Sequence, residues 1–342
     1  MYIGLTGYMG SGKGTLAKML VDRGFKFISL SEIVRTQATA RGLEHTRENL
    51  QTIGNEMRAQ NGAGVLGMRV REEVLKGPTA HWIIDGIRNP SEAGELKKLD
   101  HFYLIGVTAC KEILIKRLLE RGRASESNAT EGEIMDKIAK EQGAGEPETG
   151  QQISKCLDVV DYSIINEGTF VDLERKLNHF LGLLSGTERP SFDEIFMEIS
   201  YAWAKRATCL RRKVGAVIAK DKQQLTAGYN GAPRGLPHCA ELGGCLREKL
   251  GIPSGQRHEL CRGTHAEQNA ITQAAKFGIS IEGGTLYCNT YPCVICAKMI
   301  INAGITKVVF DSNYDDALSK ELLSSQKVLE VVRYEGRKFR AS

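Results

Sequence analysis

His265-Ala266-Glu267, followed downstream by Pro292-Cys293-Val294-Ile295-Cys296, is the stretch on which this chain turns. Three of those side chains can ligate one metal: the His265 imidazole and the Cys293 and Cys296 thiolates. One nitrogen and two sulfurs suit zinc, and three protein ligands leave a fourth tetrahedral position for water. Zinc would bring that water's pKa towards neutrality, and Glu267, two residues from the His ligand, is placed to act as its base. A lone C-x-x-C leaves a structural zinc or a redox pair open; its pairing with H-x-E favours the catalytic reading. Residues Ala266 to Phe277 predict a helix and Gly284 to Asn289 a strand. Cys293 to Ala303 predicts a second helix, whose N-terminal dipole favours thiolate.

A length of 342 residues favours two domains. Hydrophobic content of 42% and charged content of 25% are those of an ordinary globular protein. A net charge of +5, with pI near 8.6, suits small anionic substrates and gives no argument for nucleic acid. Gly4, Gly7, Gly10 and Gly12 interrupt any export signal, and no apolar run is long enough to span a bilayer. Seven of the nine cysteines lie from Cys209 onwards, close in sequence to His238, His258 and His265. That clustering favours metal over disulfides, so the expected compartment is the cytoplasm.

The N-terminus carries a second motif. Tyr2 to Thr6 predicts a buried strand, running into Gly7-Tyr8-Met9-Gly10-Ser11-Gly12-Lys13-Gly14-Thr15 and then a helix through Leu16, Ala17, Leu20 and Val21. Strand, glycine loop and helix are the context of a P-loop, whose backbone N–H groups and lysine take phosphate. The Gly-Lys-Gly-Thr variant resembles adenylate kinase and its nucleoside monophosphate kinase relatives. The resemblance implies ATP and magnesium at Gly7, Gly10, Ser11, Gly12, Lys13, Gly14, Thr15 and Asp85. It further implies phosphate contacts from Arg35, Arg88 and Arg123. Arg117, Arg121 and Arg123 read either as lid arginines or as a solvated helix face. The segment from Arg123 to Thr149, with little periodicity before Ile134, reads as a mobile lid or loop. Asp161 to Gly168 predicts a late strand and turn, similar to the end of dephospho-coenzyme A kinase-like domains.

Leu183 to Pro190 marks a boundary between residues 1–183 and 191–342. Ser191 and Glu194 form a capping box. Phe192, Ile195, Phe196, Ile199, Ala202 and Trp203 are spaced to pack one helix face. Val214 to Ile218 and Gln224 to Tyr229 predict a strand pair turning at Lys220-Asp221-Lys222.

Tyr229-Asn230-Gly231-Ala232-Pro233-Arg234-Gly235, then His238-Cys239, then His265 to Ile271, resembles deoxycytidylate (dCMP) deaminase across residues 191–335. The resemblance implies a five-stranded mixed sheet between helices. It implies sugar contact by Asn230 and phosphate contacts by Lys276 and Tyr314. A second, structural zinc is implied at Cys209, Cys239, His258 and Cys261, with His238 and Cys245 as further candidates. Hexameric assembly, activation by dCTP with magnesium and inhibition by dTTP are also implied.

The expectation is therefore an α/β chain of two domains. A P-loop kinase-like parallel sheet, with helices on both faces, precedes a cytidine-deaminase-like α/β/α domain that converts dCMP to dUMP. Three rivals stay open: a nucleotide-depleting antiphage effector acting on dCTP, a nucleic-acid deaminase, and a nucleotide-sensing regulatory protein. The modest charge and the lack of an aromatic-interleaved basic groove argue against nucleic acid.

Overall fold

A computed structural model describes residues 1–77, 80–121, 130–314 and 316–338, the side chains of Arg47 and Arg121 excepted. The chain forms two compact units, residues 1–188 and 189–342. Among the described residues, no helix is long and apolar enough to cross a membrane.

The first unit runs β1 (Tyr2–Thr6), α1 (Lys13–Val21), β2 (Lys26–Ser29), α2 (Leu30–Ala40), α3 (Arg47–Asn61), α4 (Val65–Leu75) and β3 (Trp82–Asp85). It continues through α5 (Pro90–Leu96), β4 (Phe102–Thr108), α6 (Lys111–Arg121), α7 (Glu131–Gln142), α8 (Ile153–Asp158), β5 (Tyr162–Ile165) and α9 (Phe170–Ser185). Its strands lie in the order β5-β4-β1-β3-β2, every neighbouring pair parallel. Alternate residues of each strand point to opposite faces. Tyr2, Ile84 and Leu104 pack with Val34, Ile53, Val70 and Leu96 on one side. Ile3, Ile83 and Ile105 pack with Leu16, Leu20 and Leu177 on the other. Helices thus cover both faces, as a buried parallel sheet requires. Central β1 delivers its carboxyl end to the glycine loop, with β3 and β4 on either side.

The second unit runs α10 (Phe192–Ala204), β6 (Gly215–Lys220), β7 (Gln223–Tyr229), α11 (Leu246–Lys249), α12 (Ala266–Phe277) and β8 (Thr285–Thr290). It continues through α13 (Val294–Asn302), β9 (Lys307–Ser312), α14 (Ala317–Ser324) and β10 (Glu330–Arg333). Its five strands take the order β10-β9-β8-β6-β7. β6 is antiparallel to both its neighbours, and β8, β9 and β10 are parallel, so the sheet is mixed as expected. Ala216, Ile218, Leu286 and Val308 face α12 and α13. Val217, Ala219, Tyr287 and Val309 face α10 through Phe196 and Met197. Asp221 and Lys222 turn the β6–β7 hairpin with φ of 50° and 63°, the left-handed pair that matches strand twist.

Two local expectations are corrected. Thr130–Gln142 is not a loop: Thr130 and Glu133 form a capping box, and Ile134 and Ile138 bury against Leu114 and Leu118. Two apolar residues one turn apart gave too weak a periodic signal to find that helix. Residues 122–129, including Arg123, lie outside the described residues. On α10 the capping box is present, but Phe192, Ile195 and Trp203 are exposed. The buried face is Phe196, Met197, Ser200 and Ala204. Its cause is Gly215, where a β-carbon would lie 2.0 Å from the Ser200 carbonyl oxygen. Helix and strand meet there at backbone distance, so the small Ser200 and Ala204 lie against Gly215, with Phe196 and Met197 packing on the sheet beyond them.

Candidate active site

Two helix starts build the centre of the second unit. His265 caps α12, its N–H donating to Gln268 Oε1 at 2.8 Å, and Cys293 caps α13. The caps bring His265 Nδ1 to 3.2 Å from Cys293 Sγ and 3.4 Å from Cys296 Sγ. Zinc bonds of 2.0–2.3 Å in a tetrahedron give ligand separations of about 3.6 Å, so the donor set fits that ion. Glu267 is 4% exposed and lies in one cluster with His265 and Cys296.

The charges of these groups are coupled. A hydrogen bond with Cys296, then one with His265, hold the Cys293 thiol down at about 4 against its burial. Burial opposes a charged His265, yet bonds with Cys261 and Cys293 hold it up at about 11. This thiolate–imidazolium pair would exchange its proton for a metal ion. Burial pushes the Glu267 carboxyl up, which makes it a group able to carry a proton.

A cavity of about 420 Å³ opens over these residues. Asn230 lines it, but its amide is committed to backbone: Oδ1 accepts from Val214 N–H and Nδ2 donates to Arg212 O, both at 2.8 Å. Tyr314 lines it too, its hydroxyl accepting from Gly255 N–H at 3.0 Å. Lys276 does not. It is exposed in the last turn of α12, and at 1.5 Å per residue that is about 16 Å from His265. Phosphate contact by Lys276 within this cavity is therefore withdrawn.

The cysteine-rich insertion is arranged differently from the expected ligand set. His258 is buried, and its ring joins His265 and Cys293 in a cluster whose donor atoms lie within 4.8 Å of one another. His258 Nε2 is 3.7 Å from Asp316 Oδ2, and Asp316 Oδ2 accepts from Val294 N–H at the start of α13. Around Cys239 lie Cys245, Cys261 and Cys209, which together with burial push its thiol up. His258 is thus drawn to the His265 centre, and among the described residues Cys209, Cys239, Cys245 and Cys261 do not form a group whose donor atoms all lie within 4.8 Å of one another. Sequence reasoning also missed Arg211, Arg212, Arg247 and Arg262, which line the cavity. They sit in segments without periodicity, so their charge was legible and their direction was not.

In the first unit a cavity of about 1090 Å³ is lined by Gly7, Gly10, Gly12, Lys13, Gly14 and Thr15. Arg35, Asp85, Arg88 and Arg117 line it as well. Gly12 has φ of 99°, and a β-carbon there would lie 2.2 Å from Asn166 Nδ2. Lys13 is half-buried rather than free in solvent: Nζ donates to Gly7 O at 2.7 Å and Tyr8 O at 2.9 Å. Those carbonyls hold the ammonium beside the loop. Ser11 Oγ and Asp85 Oδ1 are buried without a hydrogen-bond partner among the described residues, and a magnesium–phosphate group would satisfy them. Glu141, 4% exposed on the newly found α7, accepts from Met9 N–H at 2.9 Å.

Residues 190–312 match the family described as the cytidine and deoxycytidylate deaminase zinc-binding region, and residues 3–136 match an AAA domain. The deoxycytidylate deaminase of Schizosaccharomyces pombe is 29% identical over 260 residues, 74% of this chain and 78% of the yeast protein. That alignment is longer than the second unit, so it reaches into the first. The deoxycytidylate deaminase of Mycobacterium phage D29 is 38% identical over 126 residues, 36% of this chain and 95% of the phage protein. A UPF0200 protein of Pyrococcus horikoshii is 30% identical over 184 residues, 52% of this chain and 94% of that protein. With the ligand set, the buried acid and the mixed sheet in place, the chain belongs to the deoxycytidylate deaminase family, with a P-loop unit of the UPF0200 kind ahead of the deaminase unit.

Proposed function

We propose that the second unit hydrolyses dCMP to dUMP and ammonia. The observation that carries this reading is the buried Glu267 carboxyl beside the converging His265, Cys293 and Cys296 donors. Zinc, when bound there, supplies the Lewis acidity that makes water a nucleophile near neutral pH. Glu267 would take one proton from the attacking water and pass it to the ring nitrogen, then take the second from the hydroxyl added at C4 and pass it to the departing amine as the C4–N bond breaks and the carbonyl forms. A carboxyl whose pKa burial has raised is suited to both directions of transfer. Asn230 fixes the 212–214 backbone and offers its remaining amide valences to the sugar. Cys209, Cys239 and Cys261 are the candidate holders of a second zinc that would pin the insertion, with Cys245 a candidate for the place first given to His258, which the structure draws to His265 and Cys293.

The first unit binds ATP with magnesium through the P-loop, Lys13 leaving its two carbonyls for the outer phosphates and Asp85 facing the metal. It acts as a kinase or as a nucleotide sensor, and dCTP and dTTP are the candidate effectors of a homo-oligomer. Comparing dCMP, dCTP, dCDP, cytidine and a single-stranded oligonucleotide as substrates, with and without ATP, tests the whole reading. The fastest turnover should be with dCMP. Faster turnover of dCTP would transfer the assignment to a nucleotide-depleting effector, and faster turnover of the oligonucleotide would overturn nucleotide metabolism altogether.

A further inference from the structure

The insertion between β7 and α12 forms one wall of the deaminase cavity and carries a cation that the proton chemistry leaves unused. Arg247, on α11, is only 6% exposed and yet lines the cavity. One terminal nitrogen donates to Pro253 O at 3.3 Å, and its Nε has no partner. Among the described residues no carboxylate pairs with it: the neighbouring Glu248 lies 3.6 Å from Arg211 instead. A buried guanidinium with no carboxylate beside it is costly, so a site that keeps one is expected to meet an anion there. Arg212 lines the same cavity, its guanidinium 5.1 Å over the Tyr314 ring and donating to Asn313 O at 3.4 Å. The acids on the wall are Glu248, taken up by Arg211, and the buried Glu267 at the floor.

We infer that Arg247 is the specificity-determining anion anchor of this site, taking the 5′-phosphate of the substrate with its guanidinium fork, and that Arg212 is the second cation. The inference rests on the deaminase reading and gives the phosphate a partner in place of Lys276. A planar fork of donors matches phosphate oxygens better than a single ammonium does. Binding of a dianion at the terminal nitrogens would offset the buried charge.

The test uses the zinc-loaded full chain with Arg247→Met and Arg247→Lys, reading kcat/KM for dCMP against deoxycytidine. The Met variant should lower that ratio by about tenfold to a hundredfold, as the loss of a charged hydrogen bond predicts, through KM more than kcat. Its zinc content should match the wild type. Its Tm should not fall, because an unpaired buried charge has gone. The Lys variant should fall in between, and it carries the test if the Met variant does not fold. Inorganic phosphate should compete with dCMP in the wild type and lose most of that effect in both variants. A ratio within twofold of wild type, or equal inhibition by phosphate in all three proteins, overturns the anchor while leaving dCMP deamination standing. A wild type that deaminates no cytosine nucleotide defeats the deaminase reading itself.

Discussion

The candidate sites of the two units are built by opposite means. In the first, the cradle is main chain: glycine φ values of 142°, 76° and 99° at Gly7, Gly10 and Gly12 turn N–H groups inward. In the second, the centre is side chain, one imidazole and two thiols set by two helix caps. A main-chain cradle buries little fixed charge, and its ammonium rests on neutral carbonyls 2.7 and 2.9 Å away. A side-chain centre must bury groups whose charges depend on one another: hydrogen bonding between them holds the Cys293 thiol down and the His265 imidazole up. The first should therefore fail through shape and the second through protonation and metal loss.

The sharpest separation should come from removing metal. Treatment with 1,10-phenanthroline in excess magnesium, or acidification that protonates His265 and the thiolates, should abolish deamination while ATP binding by the first unit persists. The sign follows from the ligands, which bind metal only when deprotonated, so zinc is retained at neutral pH and lost as pH falls. Parallel loss of ATP binding, followed by titration, would break the contrast. Glu267→Gln comes next: deamination should fall by about 10²–10⁴-fold with zinc content equal to wild type, measured by metal analysis beside a rate assay. Activity within a few-fold of wild type would remove Glu267 from the proton path.

Lys13→Ala should weaken ATP binding by roughly tenfold to a hundredfold, the worth of a charged hydrogen bond. Gly12→Ala should weaken it by at least about tenfold, because left-handed strain costs about 1–2 kcal/mol before the contact with Asn166 is counted. Undiminished affinity in both variants, by calorimetric titration, would place the nucleotide elsewhere. The smallest effects belong to the caps. Ser29→Ala and Ser191→Ala should each cost about 1 kcal/mol. Hydrogen exchange should rise in α2 for one and in α10 for the other, and equal changes in both helices for either variant would deny that the units are separately stabilised.

Much of this architecture was legible because it depends on local chemistry. The glycine spacing of residues 7–14 needs only the conformational freedom of glycine, and β1 and α12 run over the residues that periodicity predicted. The H-x-E and P-C-x-x-C ligands are legible because donor chemistry and spacing at helix starts are local properties. Helix α7 was missed because its two buried isoleucines gain their meaning from Leu114 and Leu118 on another element. The α10 face was misjudged because Gly215, not hydrophobicity, decides which side meets the sheet.

Residue types and their local spacing carry the candidate chemistry of both sites: a phosphate-type loop at residues 7–15, and a zinc-type donor set with its acid at His265, Glu267, Cys293 and Cys296. The walls around them come from long-range packing. It turned His258 towards His265 and Cys293, set Cys245 beside Cys239, sent Lys276 to the far end of α12 and aimed Arg247 into the cavity. The physical reason is the insertion between β7 and α12, which has little apolar periodicity to fix its direction. Its path is set by long-range bonds such as Gly255 to Tyr314 and Arg211 to Ile252, and neither partner can be read from its neighbours in sequence.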